Sequence, residues 1–101
     1  MTFAKLNKSS DFLPLLHRIF RIRLEGADPI DLELVRVTEL GELTDTAHRQ
    51  PFSLLFLGPL SNQYLLQHTY RLEHNQMDTL ELFIVPLAPD KGRMQYEAIF
   101  N

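Results

Sequence analysis

The four histidines of this chain invite a metal reading first. His68 and His74 fall on one face of a single extended run, six positions apart, which separates them by about 20 Å. A zinc site needs three or four ligands converging on one ion. No His-x-His or His-x-x-x-His spacing occurs, no carboxylate converges on the pair, and the absence of cysteine excludes a thiolate site. Neither a metal nor a cofactor is expected. Ser53 is the serine set inside an apolar run. As a nucleophile it would need an activating base and an exposing turn, but the G-x-S-x-G elbow is missing and its neighbours are phenylalanine and leucine. A small polar side chain filling a tight spot is the reading it supports. Glu73, Glu81 and Glu97 could pair as carboxylates across a barrel mouth. They share their sheet face with Arg71 and Thr79, which makes them a solvated charged surface. No catalytic residue is assigned.

Bulk charge narrows the partners. The net charge is −3, so nothing would hold a nucleic-acid backbone or an anionic membrane by general attraction. The local stripe His17, Arg18, Arg21 and Arg23 lacks aromatic platforms, and Asp31 and Glu33 cancel much of it. All four glycines are isolated turn residues, so no phosphate-cradling loop exists. No run is long enough to span a bilayer. Met1–Ser10 has neither the apolar core nor the small-residue cleavage site of a signal peptide. The expectation is therefore a cytoplasmic chain, at least before any assembly. With 101 residues, 45% of them hydrophobic and 23% charged, the chain fits one globular domain.

The elements follow from periodicity. Phe12, Leu15, Leu16 and Ile19 keep the spacing of one helical face. Ser9 or Ser10 is placed to cap, Asp11 lies at the positive end, and Pro14 falls in the first turn. The period then becomes two. Phe20, Ile22 and Leu24 alternate with arginines; Ile30, Leu32 and Leu34 alternate with acids. Folded as a hairpin, Arg23 would face Asp31 and Arg21 would face Glu33. Apolar Leu34 and Val35 adjoin, which calls for a bulge. Gly41–Arg49 reads as a loop. Phe52–Leu57 is apolar on both faces between Pro51 and Pro59, which predicts a central strand.

Three more strands complete the pattern. Thr69–His74 and Thr79–Val85 pair so that Tyr70 meets Leu82, Arg71 meets Glu81 and Leu72 meets Leu80, with Asn75–Met77 as the tip. Pro89-Asp90-Lys91-Gly92 is a turn, and Met94–Phe100 returns with Ile84 opposite Tyr96. Even-numbered positions then make one apolar face. The odd face is charged except for Phe83, Val85 and Ile99, which must lie beneath the N-terminal helix or form an interface. The fold class is mainly β: a small antiparallel barrel or sandwich of about six strands with one short N-terminal helix. Tyr64, Tyr70, Tyr96 and Phe100 are the candidates to line a ligand pocket, should one exist.

Several segments resemble the signature of a bacterial family of small uncharacterised proteins, a domain of unknown function. They are PFSLLFLGP (Pro51–Pro59), TYRLEH (Thr69–His74), LELFIVPLAPD (Leu80–Asp90), YEAIFN (Tyr96–Asn101) and LELVRVTELGE (Leu32–Glu42). The resemblance runs from about Phe12 onward. Its Pro-Gln-Gly-Thr-Tyr stretch is Leu66-Gln67-His68-Thr69-Tyr70 here, with His68 in place of glycine. The resemblance implies no activity and no catalytic residues. It suggests an accessory or structural subunit associated with phage-tail-like or surface-fibre proteins. The expected function is a non-enzymatic structural or protein-interaction module that meets a protein partner or itself. A small barrel binding a ligand among the aromatic residues is the alternative.

Overall fold

The computed structural model describes residues 8–41, 51–74 and 77–100. Most of the 41–49 loop and most of the hairpin tip at Asn75–Met77 lie outside the described residues. The elements are α1 (Ser9–Phe12), a single 3-10 turn (Leu13–Leu15), β1 (Ile19–Ile22), β2 (Ile30–Glu39), β3 (Phe52–Leu60), β4 (His68–His74), β5 (Met77–Asp90) and β6 (Arg93–Phe100). The strands close into an antiparallel barrel in the order β1-β2-β3-β6-β5-β4, with β4 returning to β1. Closure removes the sheet edges that a six-stranded open sheet would expose.

The inward positions are those of the alternating pattern. Phe20, Ile22, Leu32, Leu34, Phe52, Leu54, Phe56, Leu72, Ile84, Tyr96 and Ala98 are all buried. On β3, Leu55 and Leu57 face outward and remain half-buried. The two-sided apolar character of this strand therefore marks one interior face and one outer face, with no second layer packed on it among the described residues.

Both barrel ends are plugged. At one end Phe12 is fully buried, its ring 5.8 Å from Phe52 and 5.4 Å from Phe100, and these two stack at 4.5 Å. The Ser9 hydroxyl donates to Glu39 at 2.9 Å and ties α1 to the end of β2. Ser9 is thus the first helical residue and not the cap. Lys8 takes the cap position and donates its backbone N–H to the Asp11 carboxylate at 3.1 Å. Ile19 leaves the helical face and opens β1, 47% exposed. At the other end Leu65 inserts from the β3–β4 connection, and its backbone N–H donates to the Tyr96 hydroxyl at 2.8 Å. Gly58 makes room there, since a Cβ would sit 3.1 Å from the Tyr96 ring.

Registers differ from the expected ones in two hairpins. Arg21 faces Asp31 and Phe20 faces Leu32, a shift of two residues that keeps every side chain on its face. Arg23 consequently pairs with Glu73 of β4 at 2.9 Å. β5 and β6 are also shifted by two: Pro86, not Ile84, faces Tyr96. The reason lies at the turn. Lys91 and Gly92 alone form the reversal, with φ of 53° and 84°, between paired Asp90 and Arg93. Pro89 is part of the strand, and a bulge between Pro86 and Pro89 absorbs the difference. The β4–β5 register, and the β2 bulge between Leu34 and Arg36, are as expected.

Candidate functional site

The barrel's outer surface divides into two unlike halves. Across β1, β2, β4 and the start of β5 it is a lattice of ion pairs: Arg21–Asp31 at 2.8 Å, Arg23–Glu73 at 2.9 Å and Arg71–Glu81 at 3.4 Å. These pairs are solvated, and such pairs contribute little to stability. Glu33 receives both Arg93 at 3.3 Å and His17 at 3.4 Å. Glu73 and Glu81 therefore belong to this lattice, on β4 and β5, while Glu97 stands apart on β6.

The other half is apolar. Phe83 is 51% and Ile99 54% exposed. Val85 is half-buried and faces Glu97 across the β5–β6 ladder. Two residues beyond that pair, on the same side of the sheet, stand Phe83 on β5 and Ile99 on β6. α1 plugs the barrel end and leaves this face uncovered. Ile99 pairs with Ser53 of β3, and Phe83 with Thr69 of β4. Ser53 is an outward, buried polar residue between Thr38 of β2 and Ile99 of β6, with no base beside it among the described residues.

The four aromatic pocket candidates do not share one site. Phe100 belongs to the α1 plug. Tyr96 stands four residues away along β6, about 13 Å, and is buried in the core. Tyr70 donates its hydroxyl to the Leu66 carbonyl at 2.8 Å, and Tyr64 is exposed on the same connection. Tyr64 and Tyr96 do border an open cleft of about 650 Å³ with Leu24, Ile30 and Leu65. Burial raises the Tyr96 phenol pKa, and the N–H of Leu65 opposes that shift.

His68 and His74 sit at opposite ends of β4, and no group of three metal-ligating side chains occurs among the described residues. His74 lies against Phe20, with ring centroids 5.2 Å apart. Burial lowers its pKa below 6.5, and the charge of Arg18 adds to the shift. The native state thus resists protonation of this ring. Stability from His74 is fully present above pH 6.5 and is lost as pH falls from there through the lowered native value. Thermal melts from pH 7.5 to pH 5 should show a small drop that His74→Gln flattens; parallel curves for the two proteins would refute this.

Sequence reasoning missed a second exposed apolar set. Leu60 (75% exposed), Leu66 (71%), Tyr64 and Leu87 are large apolar side chains left exposed, and Tyr64 and Leu87 line one cleft. Its trace in the sequence is Leu60 and Tyr64 flanking the Ser61-Asn62-Gln63 turn, with Leu66 two residues further on, where polar residues are the norm. No helix among the described residues is long and apolar enough to cross a membrane.

Fold and surface together define a small, self-filled antiparallel barrel with one apolar outer face. The chain belongs to the family described as Domain of unknown function (DUF6916), which matches residues 8–100. No curated protein and no solved structure shows a significant match.

Proposed function

We propose that this chain is a non-enzymatic structural or protein-interaction module that docks through the outer face at Phe83, Val85 and Ile99. The observation that carries the reading is the exposure of two large apolar side chains side by side on β5 and β6, 51% and 54%, beside an outer surface across β1, β2 and β4 that carries the ion pairs. Burying the exposed half of each yields about 1 kcal/mol per side chain. The resemblance drawn from the sequence suggests the setting: an accessory subunit of a phage-tail-like or surface-fibre assembly. Ligand binding inside the barrel has less support, because buried side chains occupy the inward positions and Phe12 and Leu65 close the ends.

The test is the size of the tagged protein in extract of its native host. The wild-type chain should elute well above its 11.8 kDa mass. The Phe83→Lys/Ile99→Lys variant, folded by circular dichroism, should elute as a monomer. Identical elution of the two would overturn the reading.

A further inference from the structure

We propose that the occupant of this face is a second copy of the same chain, related by a two-fold axis that lies between β3 and β6 and runs along the strands. The proposal rests on the docking reading above and adds the partner's identity. Its basis is the order of side chains across β2, β3, β6 and β5. One outward row reads Thr38, Ser53, Ile99, Phe83: two short polar residues, then two large apolar ones. The next row reads Arg36, Leu55, Glu97, Val85, with a cation and an anion on either side of a leucine.

Rotation about that axis lays each row over its own reverse. Ile99 and Phe83 of one copy then meet Ser53 and Thr38 of the other, large side chains over short ones. Arg36 comes beside Glu97 across the interface, twice by symmetry. A closed two-fold contact requires this kind of self-complementary patch, and complementary charge fixes its register.

The charges themselves point the same way. Arg21, Arg23, Arg71 and Arg93 each hold a carboxylate within the chain, at 2.8 to 3.4 Å. Arg36 and Glu97 hold none among the described residues. Both flank Leu55, on strands roughly 10 Å apart, and the two side chains form no ion pair with one another within one copy. A two-fold partner supplies each with its counterion.

Sedimentation velocity on three purified proteins tests this. The wild type should dimerise. Arg36→Glu and Glu97→Arg, each folded by circular dichroism, should raise the dimer Kd at least tenfold, since each homodimer sets like charges together. Mixing the two variants should restore dimers to within about threefold of wild type, because a carboxylate of one variant then meets a guanidinium of the other at both contacts. Unchanged Kd in the single variants, or a mixture that stays monomeric, would overturn the proposal. A monomeric wild type overturns it too, while the docking reading survives if Phe83→Lys/Ile99→Lys still shifts elution from extract. If that variant shifts nothing either, both readings fall.

Discussion

Phe12→Ala should lower the unfolding free energy by about 3–5 kcal/mol, the cost of deleting a fully buried aromatic side chain. For a domain of this size that is a large share of a total of roughly 5–15 kcal/mol. The ring fills the barrel end between Phe52 and Phe100. α1 is too short to be stable alone, and its backbone is held chiefly by this insertion and by the Ser9–Glu39 hydrogen bond. Truncation therefore leaves a cavity and frees the helix at once. Urea titration should show a lower midpoint, with Phe12→Leu recovering much of the loss. A loss below about 1 kcal/mol, smaller than a typical core truncation, would mean that the plug is not part of the core.

At the opposite end, Tyr96→Phe should cost about 1–3 kcal/mol, because it strands the buried Leu65 N–H without a partner. The volume is nearly unchanged, so the loss reports the hydrogen bond alone. Alkaline pH supplies a second readout. The native phenol pKa is raised, chiefly by burial, so its contribution is present below pH 10 and declines as pH rises through the native value. Wild-type stability should fall in that range more steeply than that of Tyr96→Phe. Equal stability of the two proteins at pH 7 would show that the Leu65 amide finds another partner.

These two plugs mark where the sequence was readable and where it was not. Alternation of Phe20, Ile22, Leu32 and Leu34, and of Leu72, Leu82 and Ile84, identified the interior because a period of two is a local property. The bulge at Val35 was legible for the same reason: adjacent apolar residues break the period. The shifted registers of Arg21–Asp31 and Pro86–Tyr96 were not, since a two-residue slip preserves both faces and costs nothing in the pattern. The Lys91-Gly92 reversal and the bulge between Pro86 and Pro89 together fix the second of them. The roles of Phe12 and Leu65 depend on chain closure, which is non-local. So does the exposure of Phe83 and Ile99. The odd-face trio was visible as an anomaly, but only the position of α1 at the barrel end decides that the helix does not cover it.

The measurement that reaches the central claim most directly is mass in solution by light scattering, over a range of concentrations, for the wild type and for Phe83→Lys/Ile99→Lys. Both proteins must first show the same β-sheet circular dichroism. If the apolar outer face is a docking surface filled by a second copy, the wild type approaches twice 11.8 kDa as concentration rises and the variant stays at the single-chain mass. Equal masses for the two proteins at every concentration would contradict that account.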